Sequence, residues 1–222
     1  QPAGQLGYAC AQHAGIRRLL PGLTETAARA EGYDVVSVIT VVDDKAHYYP
    51  GAGLFIVKMT ADRATRKLLG VQVLGKGAVD KVTDIAVTAI SLGATVDQLA
   101  AMDFAYAPPF STAIHPFAHS INILMNKLDG GMDSITPVEY AEGKAEGYEV
   151  IDCAISPSLP EKRYLDLTAI SGEVDGLSKD AKLLLVCTKG KRAYLTQNRL
   201  KYYGYTNTTV LEGGTTFTEM DE

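Results

Sequence analysis

Leu183-Leu184-Leu185-Val186-Cys187-Thr188-Lys189-Gly190-Lys191-Arg192 is the stretch on which the reading of this chain turns. A short unbroken apolar run bounded by turn signals reads as a strand of a parallel sheet, buried on both faces. Residues 182–187 fit that description. Tyr194, Leu195, Asn198, Leu200 and Tyr202 follow in good helix-forming company, with Gly204 as the expected C-cap. Thr208-Thr209-Val210-Leu211 is a second short strand, closed by Gly213-Gly214. The unit is strand, loop, helix, strand, which implies a right-handed parallel crossover. Ligand sites of open parallel sheets lie at the carboxyl ends of the strands, and Cys187 stands there.

A thiolate is the reactive form of cysteine, and three features of the loop favour it. Backbone N–H groups can form an anion nest, a helix N-terminus adds partial positive charge, and Lys189, Lys191 and Arg192 lie within five residues of Cys187. The competing reading is a buried structural cysteine, a small hydrophobe at a strand end. A cysteine used only for packing needs no cationic loop behind it.

The run from Cys187 to Tyr194, the helix through Leu200, Gly204-Tyr205 and Val210-Leu211-Glu212-Gly213-Gly214 together resemble the active-site half of a rhodanese domain. Upstream, Ser134-Ile135-Thr136-Pro137-Val138-Glu139 resembles its opening helix and Tyr148-Glu149-Val150-Ile151-Asp152 its first central strand. The opening helix also has a physical signature: Thr136 as N-cap, Pro137 at the first helical position, and Glu139 completing a capping box. The resemblance covers residues 133–217 and implies sulfur transfer. Cys187 would become a persulfide, Thr188, Lys189, Gly190, Lys191 and Arg192 would form the anion loop, and the three cations would attract a small anionic donor such as thiosulfate. Two departures stand out. Asp152-Cys153-Ala154 lacks the arginine usual after the first central strand, and Ser158 to Tyr164 replaces a Gly-His-Ile segment. A cysteine phosphatase shares the strand–loop–helix logic, but it spaces its cysteine and arginine one residue further apart. The shorter loop here suits a sulfur better than a phosphoryl group.

The amino-terminal half reads as α+β. Thr24 to Glu31 is a short helix between N-cap Thr24 and Gly32. Asp34–Val42, Leu54–Thr60 and Leu68–Leu74 read as strands, the last two joined by the hairpin loop Asp62-Arg63-Ala64-Thr65. Val82, Ile85, Ala86, Ala89 and Ile90 mark an amphipathic helix ending at Gly93. Thr95 and Gln98 form a capping box for a shorter helix, and a last helix runs from about Phe117 to Leu128. His115 and His119 lie four apart, a helical metal-ligand spacing, but Pro116 intervenes and no acidic third ligand is near. Cys10 with His13 is no fuller a set, and no metal is expected.

Asp43 to Ala52, Leu69 to Gly75, Asp80 to Asp84 and Tyr106-Ala107-Pro108-Pro109-Phe110-Ser111 are similar to the carboxy-terminal dimerisation domain of flavin-dependent pyridine nucleotide-disulfide oxidoreductases. The coenzyme A-disulfide reductase and NADH oxidase branch fits best, and several of its members carry a fused rhodanese domain in this order. The resemblance covers residues 23–128 and leaves residues 1–22 unassigned. It implies a homodimer, and FAD, NAD(P)H and coenzyme A as cofactors of the full-length enzyme. It also implies that Tyr48 or Tyr49 and Tyr106 lie near a bound coenzyme A disulfide. Their alternative role is packing at a subunit interface, where tyrosine is enriched.

Composition bounds the rest. No Gly-x-Gly-x-x-Gly follows a strand, so this segment by itself is expected to bind neither FAD nor a nicotinamide cofactor. With Gln1 first, it reads as the tail of a longer polypeptide that carries those domains. Residues 1–128 carry 11 Lys and Arg against 10 Asp and Glu, and residues 129–222 carry 10 against 16. Six of those ten cations fall within residues 181–203. A local basic site on an acidic body argues for a small anion rather than nucleic acid. No run of 18 apolar residues suggests a membrane span, and three cysteines make no disulfide framework, so a cytoplasmic protein is expected. The expectation is an α+β dimerisation domain with an antiparallel sheet over 1–128, then an α/β rhodanese-like domain with a parallel sheet over 129–222. Its function would be that of part of a coenzyme A-disulfide or persulfide reductase that carries sulfane sulfur on Cys187. The alternative is a non-catalytic dimerisation and docking module.

Overall fold

The computed structural model describes residues 8–13 and 16–220, and the side chains of Cys10 and His13 lie outside the described residues. The chain divides into two compact units that part between Leu128 and Asp129.

The first unit is built on an antiparallel sheet in the order β1 (Tyr8–His13), β2 (Ile16–Pro21), β5 (Leu68–Gly75), β4 (Leu54–Asp62), β3 (Val35–Asp43). Sequence reading found three of these strands. The hairpin of β1 and β2 escapes it because β2 is exposed through Arg18 and only half-buried at Leu19 and Leu20, so no alternating pattern marks it. Around the sheet are α1 (Glu25–Ala30), α2 (Val79–Ser91), α3 (Val96–Ala100) and α4 (Pro116–Leu128). Thr24 caps α1 by accepting from the Ala27 amide, and Thr95 with Gln98 closes the expected capping box on α3. β3 is an edge strand, yet every residue from Val35 to Val42 is buried. Its polar members are satisfied: the Ser37 hydroxyl donates to Glu25 at 2.8 Å, and Thr40 bonds to Ser120 of α4 at 2.7 Å. Burial alone would raise the Glu25 carboxyl. Lys58, Arg29 and Ser37 outweigh it and bring the pKa down to about 2.

His115 stands immediately before α4 rather than on it. Its Nδ1 accepts from the Phe117 amide at 3.2 Å, and its ring stacks on Phe104 at 5.0 Å. The helical pairing with His119 that the spacing suggested is therefore replaced by a capping role. Burial, helped by the charge of Lys81, lowers the His115 pKa from 6.5 to about 4.

The second unit is a parallel sheet in the order β6 (Ser134–Ile135), β10 (Thr208–Leu211), β9 (Leu183–Val186), β7 (Glu149–Asp152), β8 (Arg163–Tyr164). The chain enters β6, forms α5 (Pro137–Ala141), and returns as β7; Thr136 and Glu139 make the expected capping box. β9, α6 (Lys191–Tyr202) and β10 are the expected crossover unit. All four residues of β9 are buried, and they alternate between two cores. Leu183 and Leu185 pack with Ile151, Ala193 and Leu200, whereas Leu184 and Val186 pack with Leu211, Tyr140 and Tyr148. Sequence reading passed over Gln197, a wholly buried amide on α6. Its Nε2 donates to the Asp133 and Thr208 carbonyls, both at 2.8 Å, and its Oε1 accepts from the Asp133 amide at 3.2 Å. One side chain thus ties the crossover helix to β10 and to the entry of β6.

Gln197→Ala removes these three bonds and strands the Thr208 carbonyl. Hydrogen exchange at residues 183–186 should report a loss of about 2 kcal/mol in the opening free energy. His115 makes a pH-dependent contribution. It is neutral when folded at pH 5 and protonated when unfolded, so its share of stability is complete above the unfolded pKa near 6.5. That share is lost as pH falls toward 4. His115→Asn keeps a capping acceptor without the titration, and thermal unfolding between pH 6.5 and 5 should be flatter for the variant than for the parent.

Candidate functional site

Cys187 follows β9 directly and opens the turn into α6. Gly190 is the N-cap of that helix with φ of 85°, a left-handed conformation that strains any residue with a Cβ. The turn is held from outside. The Cys187 carbonyl accepts from the Thr215 amide at 3.1 Å. The Thr188 carbonyl accepts from the Thr216 amide at 2.9 Å and from the Thr216 hydroxyl at 2.7 Å. In a planar trans peptide the N–H points opposite to the carbonyl. The amides of Thr188 and Lys189 therefore face away from residues 215 and 216. Gly213-Gly214, read from sequence as the close of a strand within the rhodanese resemblance, makes this possible. A Cβ on Gly214 would stand 1.8 Å from the Cys187 carbonyl oxygen.

The thiol itself is well covered. Cys187 is 4% exposed and belongs to the core cluster that includes Leu185, Cys153 and Ala193. Thr188 and Lys191 are exposed, Lys189 is half-buried and Gly190 is buried. Arg192 is spent differently from the expectation of a free anion-attracting cation. Its Nε donates to the Cys153 carbonyl at 3.0 Å, and its guanidinium meets Asp166 at 3.1 Å. It is a strut between α6 and the loop that follows β7.

No arginine follows Asp152 in Asp152-Cys153-Ala154, and the donors to its carboxylate are backbone amides and one hydroxyl. Asp152 is fully buried, and its carboxylate accepts from the amides of Ala154 at 2.9 Å, Ser158 at 2.6 Å and Leu159 at 2.9 Å, and from the Ser158 hydroxyl. Burial would raise this carboxyl, and the amides of Ser158, Ala154 and Leu159 turn the balance, holding it below the ordinary carboxylate range. The segment that replaces Gly-His-Ile thus wraps the Asp152 charge with backbone amides of Ser158 and Leu159 and the Ser158 hydroxyl. Cys153 is also fully buried; burial, with smaller contributions from Cys187 and Asp152, pushes its pKa up to about 12.

In the first unit, Tyr48 is 69% exposed with its ring edge-on to His47, Tyr49 is half-buried in the turn between β3 and β4, and Tyr106 is 50% exposed. A cavity of about 100 Å³ lies nearby, lined among others by Asp44, Lys45, Lys81, Phe110 and His115. The three tyrosines stand outside that lining, and Lys81 is anchored to the Phe110 carbonyl at 3.1 Å. Sequence reading quoted Asp44, Lys45 and Lys81 as part of a resemblance and did not bring them together with His115.

Comparison with known proteins places each unit. Residues 21–118 match the family described as pyridine nucleotide-disulphide oxidoreductase, dimerisation domain, and residues 122–216 match the rhodanese-like domain. The NAD(P)H coenzyme A polysulfide/persulfide reductase of Pyrococcus horikoshii is 36% identical over 113 residues, covering 51% of this chain and 25% of that protein. The structure of a NAD-dependent persulfide reductase from A. fulgidus superposes with a TM-score of 0.84 at 30% identity, over 96% of this chain and 39% of that one. The reduced CoADR-RHD of Bacillus anthracis gives 0.84 at 25% identity, over 94% and 38%. The chain therefore spans well under half the length of these relatives. It carries, in this order, a pyridine nucleotide-disulphide oxidoreductase dimerisation domain and a rhodanese-like domain, and both of those solved structures extend over the two units.

Proposed function

We propose that Cys187 carries sulfane sulfur as a persulfide. The chain would work within a coenzyme A-disulfide or persulfide reductase, with residues 1–128 as its dimerisation module and 129–222 as its sulfur-carrying module. The observation that supports this best is the direction of the loop. With the Cys187 and Thr188 carbonyls bonded to Thr215 and Thr216, the opposing amides can cradle an outer sulfur anion beside the N-terminus of α6. The Cys187 thiolate attacks the sulfane sulfur of thiosulfate, the S–S bond to that sulfur forms, the donor's S–S bond breaks, and sulfite leaves with the electron pair. An acceptor thiolate then takes the outer sulfur and returns Cys187 to thiolate. Lys191, exposed at the loop, draws the anionic donor in, Lys189 belongs to the same loop, and Arg192 keeps the loop in place through Asp166 and Cys153.

FAD, NAD(P)H and coenzyme A belong to this proposal as cofactors of the whole enzyme. Neither unit presents a glycine-rich strand–turn–helix for a dinucleotide among the described residues, and no step above is routed through them. A homodimer is proposed for the first unit. Phe110, Ile114 and Tyr106 are exposed by 70%, 57% and 50%, an apolar surface that a second subunit would cover, and Tyr48 and Tyr49 would lie near bound coenzyme A. A cytoplasmic setting suits two free thiols. The docking alternative draws on the 4% exposure of Cys187 and on the internal pairing of Arg192.

Incubation of a Cys153→Ala chain with thiosulfate should add one sulfur atom to the peptide that contains Cys187. Thiosulfate-to-cyanide transfer should fall to the background rate in Cys187→Ser. A Cys187 peptide unchanged in mass across several sulfane donors would favour the docking reading. Gly214→Ala forces a Cβ into the Cys187 carbonyl and should cost about 2–4 kcal/mol of stability along with most of the persulfide yield. Gly172→Ala, where a Cβ meets nothing within 4 Å, serves as the control and should alter neither.

A further inference from the structure

β7 and β9 are neighbours in the parallel sheet, with Asp152 paired to Val186. One residue on, the Cys153 amide donates to the Val186 carbonyl at 2.7 Å, which continues the register past the strand ends. Cys153 thus comes beside Cys187. Side chains alternate along a strand, so register partners in a parallel pair share a face. Core composition agrees: Ile151, Cys153, Leu185 and Cys187 fall in one cluster, while Leu184 and Val186 fall in the other. Neighbouring strands lie about 4.8 Å apart, within the roughly 4.4–6.8 Å between Cα atoms that a disulfide spans. Two thiols therefore stand side by side on one face, at the carboxyl ends of adjacent strands.

From this juxtaposition we propose that Cys153 is the resolving thiol of a Cys187 persulfide, closing a Cys153–Cys187 disulfide and releasing sulfide. The inference rests on the sulfur-carrying reading of Cys187. The Cys153 sulfur attacks Sγ of the Cys187 persulfide, and the Sγ–Sγ bond forms as the bond to the outer sulfur breaks. That sulfur departs with the electron pair as hydrosulfide and takes up the proton of Cys153. The two thiol sulfurs are oxidised and the sulfane sulfur is reduced to sulfide, so the only oxidant consumed is the sulfane donor.

Three features of the surroundings fit this role. Thr196 is fully buried on α6, and its hydroxyl, which has no other hydrogen-bond partner among the described residues, lies against Cys153 and favours the thiolate. Arg192 holds the Cys153 carbonyl at 3.0 Å from the first turn of the helix that follows Cys187, so the backbones of the two cysteines are tethered together. Burial keeps Cys153 a thiol at neutral pH, with its sulfur near the Ile151 carbonyl at 3.6 Å. A resting Cys153 of this kind leaves time for an outside acceptor to take the sulfur first. The disulfide then forms when no acceptor arrives.

The test uses the full chain in a Cys10→Ser background, treated with thiosulfate without an acceptor, alkylated, and mapped by mass spectrometry without reduction. The expected result is a peptide pair linked through Cys153 and Cys187, with one equivalent of sulfide released per chain. Cys153→Ser and Cys153→Ala should each retain the persulfide on Cys187 and release sulfide only at the background rate. Sulfur on Cys187 with Cys153 still open to alkylation in the unfolded, quenched protein overturns the resolving role and leaves the carrier reading standing. Absence of sulfur on Cys187 in Cys153→Ala, together with absence of the Cys153–Cys187 link in the parent, overturns both. Diamide, which oxidises vicinal dithiols without any sulfane sulfur, should link the same two peptides in the folded chain. Failure of that linkage also overturns the proposed pair.

Discussion

Contact between Gly214 and the Cys187 carbonyl is the constraint on which the second unit depends. The carbonyl lies where a Cβ of residue 214 would be, and the Thr215 amide binds it there. A strand that ends in a buried cysteine has to turn at once, and a turn has two faces, one of carbonyls and one of amides. Binding the carbonyls to the segment after β10 settles which face is which. The same approach brings residues 213–216 against the loop only because β10 pairs directly with β9. Sheet order, the left-handed backbone of Gly190, Gly213 and Gly214 and the orientation of the loop are one arrangement described at three scales.

The second unit also redistributes charge around the departures seen in its sequence. A buried carboxylate at the end of a central strand is costly unless several donors meet it. Asp152 has amide donors from Ala154, Ser158 and Leu159 and the Ser158 hydroxyl, so it needs no side-chain cation. Arg192 reaches the Cys153 carbonyl and Asp166. Backbone donors thus meet the buried carboxylate, while the guanidinium binds the residue next to it in sequence. Hydrogen bonds to charged groups are the stronger kind, which is why these few contacts can fix a loop of short elements.

Legibility in the sequence followed the range of the interactions. Thr136 with Glu139, Thr95 with Gln98 and the apolar run of β9 act within a few residues, and each was readable. The β9–α6–β10 crossover was readable because its turn signals sit at regular intervals. The β1–β2 hairpin was not, since it is exposed along much of β2 and lacks alternation. Gln197 and Arg192 were misjudged for another reason. Their partners, Asp133 and Cys153, are 64 and 39 residues away, and only the folded sheet brings them near. Of the site, Cys187 and its turn could be found in the sequence. The pinning segment 213–216, the amide shell of Asp152 and the neighbouring position of Cys153 could not, because each depends on which strands lie side by side.

Strand adjacency also gives the two thiols unequal surroundings. Cys187 leads into a helix N-terminus and a turn whose amides face away from residues 215 and 216. Cys153 ends a strand whose carboxylate neighbour Asp152 is negative, and burial pushes its thiol up to about 12. Closing a disulfide between the two thiols needs an oxidant, which in the proposed cycle only the sulfane donor supplies. The difference in surroundings follows from position. One cysteine precedes the crossover helix, where orphan N–H groups gather. The other precedes a loop whose own amides are consumed by Asp152. The fold thereby gives two chemically identical side chains different surroundings, and it does so with backbone groups that a change of side chain elsewhere leaves in place.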